Sequence, residues 1–171
     1  MSTVAWDGKT LAADCMGVSS GVRTRVAKIV RLGDGRVVAW TGMQEHGLSL
    51  LHWYTDGAAP ETYPAFQRTK HWTRFIVASP HVVVFFEQEP VAQPVVGRPC
   101  AWGSGRDFAL GAMACGADAR KAVEIASIWD IYTGMGCQAY DVRTGSGECK
   151  CGGDTSRCAE AAGRPAGTEG R

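Results

Sequence analysis

The amino terminus carries the first residue that could do chemistry. Ser2 follows Met1, and a small second residue favours removal of the initiator methionine. Ser2 would then hold both a hydroxyl nucleophile and a free α-amine, whose unperturbed pKa of about 7.7–8.0 suits a general base near neutral pH. One residue could therefore supply nucleophile and base. Because Met-Ser is a common start, this interpretation depends on other residues.

Other reactive side chains point to no second site. Cys15 could be the nucleophile of a cysteine peptidase, but no histidine lies at a telling distance, so we expect a small buried hydrophobe. The histidines lack the spacing of a helical metal pair; they are His46, His52, His71 and His81. The three cysteines near the carboxyl end would need a fourth zinc ligand, and no histidine follows His81. We expect no metal and no cofactor.

Two hairpins must position Ser2 and whatever acts with it. The first joins strands at 2–6 and 11–14 around Asp7-Gly8. A two-residue turn would place Asp14 opposite Met1, whereas a four-residue turn from Asp7 to Thr10 would place it opposite Thr3, next to Ser2. The second hairpin joins strands at 25–32 and 36–41 around Gly33-Asp34-Gly35.

The rest of the chain alternates helices and strands. The pattern predicts a helix after Gly42, a break at 56–64 and a short helix at 66–72. A third hairpin is predicted with strands at 75–78 and 82–86. Two helices separated at 116–118, with Asp118 as N-cap of the second, and a last strand at 138–142 complete the prediction. This order predicts an α+β fold in which antiparallel sheets lie between helical layers. We expect one domain over 1–145 and a flexible tail rich in Gly, Ala and Cys over 146–171.

Composition excludes several classes of partner. The 171 residues carry a formal charge of +1, so no basic surface for nucleic acid is indicated. No apolar run approaches the roughly 20 residues of a membrane helix, and the amino terminus resembles no secretory signal. We therefore expect a cytoplasmic protein that binds neither nucleic acid nor membrane, with its seven cysteines reduced.

Five segments in order resemble signatures of the proteasome β-subunit family, especially HslV-like and short phage or prophage members. They are Ser2-Thr3-Val4, Leu11-Ala12-Ala13-Asp14, Arg25 to Leu32, Trp102-Gly103-Ser104-Gly105 and Asp130-Ile131-Tyr132-Thr133-Gly134. The resemblance covers about residues 2–142. It implies the four-layer αββα sandwich of N-terminal-nucleophile hydrolases and a threonine-type endopeptidase in a homo-oligomeric ring. Peptides or unfolded proteins would be the substrates, and an ATP-dependent unfoldase is a further partner that the resemblance implies.

The resemblance also implies residue roles. Ser2 stands where the family has a threonine nucleophile, and its hydroxyl lacks the methyl group that restricts χ1. Asp14 and Lys28 match the acidic partner and the lysine, which would lower the pKa of the α-amine. Gly42 matches the backbone N–H donor to the oxyanion. From the residues alone, Asp14 could be a turn residue, Lys28 a solvated charge, and Gly42 a strand-to-helix turn.

The resemblance extends to a supporting set and a substrate pocket. Ser104, Asp130 and Thr133 match the polar groups around the amino terminus, with Thr133 where serine is more usual; otherwise they are caps and turns. Trp40 lies where the family bounds the pocket for the residue before the cut, or it belongs to the core.

Three functions remain open. The first is a ring peptidase, the second a catalytically silent ring or scaffold with the same fold, and the third an amidase acting on a small molecule. The absence of a long insertion to shape a private pocket argues against the amidase. Within the peptidase, an alternative start would remove Met1 and Ser2 together and make Thr3 the nucleophile.

Overall fold

The structure is a computed structural model that describes residues 2–66, 73–97 and 99–150. Strands occupy most of it; they are β1 (Thr3–Trp6), β2 (Thr10–Asp14), β3 (Met16–Ser19), β4 (Val22–Arg25), β5 (Ile29–Arg31), β6 (Val37–Thr41), β7 (Arg74–Ala78), β8 (Val83–Phe86), β9 (Gln93–Pro94), β10 (Cys100–Gly103), β11 (Cys137–Asp141) and β12 (Gly147–Lys150). The α-helices are α1 (Gln44–Thr55), α2 (Arg106–Ala114) and α3 (Ala119–Trp129), and a 3-10 turn spans Pro60–Thr62.

Two five-stranded antiparallel sheets form the centre of the molecule. The first has the order β10-β1-β2-β11-β12 and the second β5-β6-β7-β8-β9, while β3 and β4 form a separate two-stranded sheet. Helices α2 and α3 pack on the first sheet, and α1 packs on the second. The layers are therefore helix, sheet, sheet, helix, which confirms the predicted αββα fold.

Alternating side chains build three apolar layers, because successive residues of a strand point to opposite faces. Between the sheets, Val4 and Leu11 meet Ile29 and Ile76. On the outer face of the first sheet, alanines of β1 and β2 pack against α2 and α3. On the outer face of the second sheet, a larger aromatic cluster receives α1. Small residues under two helices and large ones under a single helix fill the two outer layers.

The first hairpin has the longer of the two possible turns. Val4 pairs with Ala13 and Trp6 with Leu11, so the register continues to Thr3 opposite Asp14. The Asp7 N–H donates to the Thr10 carbonyl, and the Asp7 carboxylate accepts the N–H groups of Lys9 and Thr10. This Asx-type turn sets the register and brings Asp14 next to the residue after Ser2.

Most of the predicted elements are present with small shifts of their ends. The second and third hairpins correspond to β5–β6 and β7–β8, and α1 follows Gly42 as predicted. Helix α3 begins after Asp118, whose side chain accepts the Lys121 N–H at 2.7 Å, as expected of an N-cap. The last predicted strand is β11.

Several elements differ from the prediction. Strands β3, β4 and β10 were not predicted, because each is short and β10 pairs with the distant β1. Strand β12 lies in the segment assigned to a flexible tail and pairs with β11, so the sheet extends past residue 146. The helix predicted at 66–72 falls mainly on 67–72, outside the described residues. Among the described helices, none has the length and apolar character to cross a bilayer.

Candidate active site

A buried ion pair lies at the end of the first hairpin. Both carboxylate oxygens of Asp14 accept from Lys28 Nζ at 2.9 Å, and the two side chains are 0% and 5% exposed. The Asp14 carboxylate also accepts three backbone N–H groups, from Thr3 at 2.9 Å, Met16 at 3.0 Å and Gly134 at 3.2 Å. A carboxylate with this many donors is held in one orientation, which fixes the lysine in turn.

Lys28 is neither a solvated charge nor exposed on an edge. Burial lowers the pKa of its ammonium, while the charge and hydrogen bonds of Asp14 oppose that shift. Its carbonyl accepts the Trp40 N–H at 3.0 Å, so the backbone is tied to β6 just before β5 begins. The positive group is thus placed by the second sheet and held by a carboxylate of the first.

Ser2 precedes β1 and is completely buried in the chain that carries Met1. Its carbonyl accepts the Ser104 N–H at 2.9 Å. Its Oγ is buried and has no hydrogen-bond partner among the described residues. A buried hydroxyl without a partner is unfavourable by about 1–3 kcal/mol, and a catalytic role is one explanation for such a group.

A chain of hydroxyl groups runs beside Ser2. Ser104 Oγ and Thr133 Oγ1 lie 2.7 and 2.5 Å from the same oxygen of Asp130. Thr3 Oγ1 lies 2.6 Å from Thr133 Oγ1. The predicted supporting set of Ser104, Asp130 and Thr133 is therefore brought together, and Thr3 joins it.

The two glycines around Ser104 make this approach possible. Gly103 has φ of +96°, and a Cβ there would lie 1.8 Å from the Ser2 carbonyl oxygen. A Cβ on Gly105 would lie 2.3 Å from Thr3 Oγ1. No other residue type fits either position without moving Ser2 or Thr3.

A cleft of about 730 Å³ opens beside these groups. It is lined by residues of β3, the start of α1 and the start of α2, and Lys28, Gly42 and Ser104 reach it. Gly42 has φ of +107°, at the junction between β6 and α1. Ser2 is not among the lining residues.

Trp40 does not line the cleft. It is 1% exposed and belongs to the cluster beneath α1, where the missing side chain of Gly47 leaves room for its indole. Its Nε1 donates to Gln44 Oε1 at 3.0 Å, and Gln44 does reach the cleft. Of the two interpretations left open by the sequence, the core placement is the one found.

Sequence reasoning underrated Thr3. It was considered only as an alternative nucleophile, yet its N–H and its Oγ1 are both engaged. The available signal was the register of the first hairpin, which places Thr3 opposite Asp14. Cys15 is buried, as expected of a small hydrophobe. Within the described residues, no three His, Cys, Asp or Glu side chains are grouped as metal ligands.

Comparison with known proteins gives structural matches alone. No family model matches the chain, and no curated protein does. BPH from Thiobacillus denitrificans aligns with a TM-score of 0.64 at 23% identity, covering 81% of this chain and 96% of BPH. The same protein in complex with epoxomicin gives 0.62 at 24%, with the same coverage. Eukaryotic HslV from Trypanosoma brucei gives 0.61 at 20%, covering 80% of this chain and 97% of HslV. Together with the observed layers, these matches establish that the chain has the αββα fold of BPH and HslV.

Proposed function

We propose that the chain is a proteasome-like peptidase whose nucleophile is Ser2 after removal of Met1. The observation that carries the proposal is the buried Asp14–Lys28 pair, which accepts the N–H of Thr3, the residue after Ser2, beside a cleft that Lys28 reaches. A buried charge pair that accepts the N–H of the residue after Ser2 is an arrangement expected of an activated nucleophile.

The proposed reaction has two steps. Ser2 Oγ attacks the carbonyl carbon of the substrate while its α-amine takes the hydroxyl proton, and the Gly42 N–H donates to the oxyanion. Collapse of the intermediate breaks the C–N bond, and the ammonium returns its proton to the leaving amine. Water then attacks the resulting ester with the amine again as base, releasing the acid and restoring Ser2.

The charges suit the amine to this role. The positive Lys28 lowers the pKa of a neighbouring ammonium, so that the Ser2 amine is a free base near neutral pH. Asp14 keeps that lysine charged in spite of its burial, which by itself lowers the lysine pKa. Ser104, Asp130 and Thr133 hold the backbone of Ser2 in place.

The substrates proposed are peptides or unfolded proteins, cut inside a homo-oligomeric ring. The ring and an ATP-dependent unfoldase rest on the sequence resemblance. The fold shared with HslV supports the ring. Because Ser2 is buried and does not line the cleft, the proposal requires removal of Met1 to free the amine and requires the Ser2 hydroxyl to become accessible from the cleft.

The decisive experiment combines intact mass with labelling. We expect the purified chain to lack Met1 and to gain the mass of one epoxomicin molecule, the compound found in complex with BPH. Ser2→Ala should lose both labelling and peptide cleavage, since nucleophile loss in another hydrolase costs on the order of 10⁶ in kcat. Ser2→Thr should keep or raise cleavage. Ser127→Ala, an exposed serine on α3, is the matched control and should cleave as the wild type does.

The same experiment decides the silent-scaffold alternative, which the complete burial of Ser2 favours. A chain that retains Met1, takes no label and still assembles would support the scaffold and reject the peptidase. A monomer of 18.2 kDa in light scattering would reject the ring.

A further inference from the structure

Thr3 contacts both the Asp14–Lys28 ion pair and the chain of hydroxyl groups around Asp130. Its N–H donates to Asp14 Oδ1 at 2.9 Å, and its Oγ1 lies 2.6 Å from Thr133 Oγ1. Thr3 is completely buried and does not line the cleft, so it has no direct access to a bound substrate. Any effect of Thr3 on a reaction would therefore act through the groups it holds.

The direction of each hydrogen bond in the hydroxyl chain follows from the acceptor at its end. A carboxylate accepts only, so the proton of Thr133 Oγ1 points to Asp130 Oδ2. Ser104 Oγ has two acceptors, the Ser2 carbonyl at 3.4 Å and Asp130 Oδ2 at 2.7 Å, and its proton is assigned to the shorter of the two contacts. Thr133 has then used its one proton. Thr3 Oγ1 must donate to Thr133, and the chain has a single arrangement of donors.

This chain closes around Ser2. It starts at Thr3, which follows Ser2 in the backbone, and passes through Thr133 and Asp130 to Ser104. The Ser104 N–H donates to the Ser2 carbonyl at 2.9 Å, which completes the circuit. Ser2 is thus fixed from its own carbonyl and from the residue after it.

Gly105 shows how tightly the Thr3 hydroxyl is enclosed. A Cβ on Gly105 would lie 2.3 Å from Thr3 Oγ1, 3.0 Å from Thr133 Oγ1 and 3.1 Å from Asp130 Oδ2. The first separation is shorter than real Cβ contacts, and the other two are tighter than most. The backbone has closed onto the hydroxyl chain with no space left for a side chain.

We propose that Thr3 is a positioning residue, whose hydroxyl holds Thr133, Asp130 and Ser104 in the arrangement that fixes the Ser2 backbone. This inference rests on the proposed peptidase function. In Thr3→Val a methyl group replaces the hydroxyl at 2.6 Å from Thr133 Oγ1, which is too close for carbon and oxygen. Thr133 must move, and the bond to Asp130 breaks with it.

The kinetic test compares three substitutions of threonine, which are Thr3→Val, Thr3→Ser and Thr10→Val. We expect Thr3→Val to lower kcat about 10- to 100-fold, the range expected when a reacting group is displaced by about 1 Å, with KM changed less than about twofold because the cleft is untouched. Thr3→Ser keeps the hydroxyl and should stay within a few-fold of wild type. Thr10→Val makes the same substitution at the other end of the hairpin and should leave both constants unchanged. Wild-type kcat in Thr3→Val, or a rise in KM alone, would overturn the inference.

A second arm needs no turnover. Thr3→Val, Thr133→Val and the double variant form a double-mutant cycle measured by urea unfolding. The change in the unfolding equilibrium constant of the double variant should differ from the product of the two single changes by on the order of 2- to 150-fold, as expected of groups in one hydrogen-bond network. Independent effects would overturn the link while leaving the peptidase proposal standing. Coupling in a chain without Ser2-dependent cleavage would instead reject the peptidase and, with it, the positioning role.

Discussion

Two consecutive hairpins of similar length have opposite environments. In β1–β2 all residues but Thr10 are buried, and the pair lies between β10 and β11 in the first sheet. In β3–β4 the second strand is exposed at every residue, and the pair forms a sheet of its own. The first hairpin carries Thr3 and Asp14, whereas β3 of the second hairpin lines the cleft.

The difference shows how the site combines rigidity with access. Strands bonded on both edges and covered on both faces hold side chains within the tolerances that a reaction needs. A two-stranded ribbon with solvent on one face is marginally stable by itself and can adjust to a ligand. Thr3 and Asp14 lie on the first kind of element, and the β3 residues that line the cleft lie on the second.

The largest effect is expected from the ion pair of the buried hairpin. Asp14→Asn leaves Lys28 buried without a counter-charge, which should lower the free energy of unfolding by about 3–5 kcal/mol. Adding Lys28→Met should restore part of the loss, because the unpaired charge is then gone. Arg23→Gln in exposed β4 should change stability by less than about 0.5 kcal/mol. Urea unfolding measures all three variants. Equal losses of unfolding free energy from Asp14→Asn and Arg23→Gln would contradict the different environments of the two hairpins.

A purely apolar pair of substitutions makes the same comparison without charge. Leu11 is 0% exposed between the two sheets, whereas Val22 is 62% exposed in β4. Leu11→Ala should cost about 2–5 kcal/mol through lost contacts and a cavity. Val22→Ala should stay within about 0.5 kcal/mol. A large loss in Val22→Ala would show that β4 is covered in solution, as it would be by another copy of the chain.

The smallest effect is expected in the pH dependence of the unfolding free energy. It concerns β11, the strand next to the first hairpin. Cys137 in β11 lies opposite Asp14, and burial raises the pKa of its thiol from 9.0 to about 12. Above pH 9 the unfolded chain loses this proton while the folded chain keeps it, so folding loses about 1.4 kcal/mol per pH unit up to about pH 12.

Cys137→Ala should remove that contribution from the slope of unfolding free energy between pH 9 and 10.5. Exposed Cys115→Ala should keep the wild-type slope. If the two variants show the same slope, solvent reaches the thiol of Cys137, and the burial found in the first hairpin does not extend from β2 to β11.

Local features explain how much of the architecture could be predicted. The Asp7–Thr10 turn limits the first hairpin to two registers, and the αββα fold followed from the order of elements together with the family resemblance. The starts of α1 and α3 follow Gly42 and Asp118, residues whose conformational and capping preferences act over three or four neighbours. Each of these features depends on contacts close in sequence.

What the sequence determined by itself was therefore the three helices, most strands of the two large sheets, the αββα class and a candidate group of polar residues. Only the tertiary structure decided that β10 pairs with β1, that Trp40 belongs to the core, and that Thr3 links Asp14 to Thr133. The physical reason is distance along the chain. Thr3 and Thr133 are separated by 130 positions, and no local preference records which distant hydroxyl will face another once two sheets and three helices have packed.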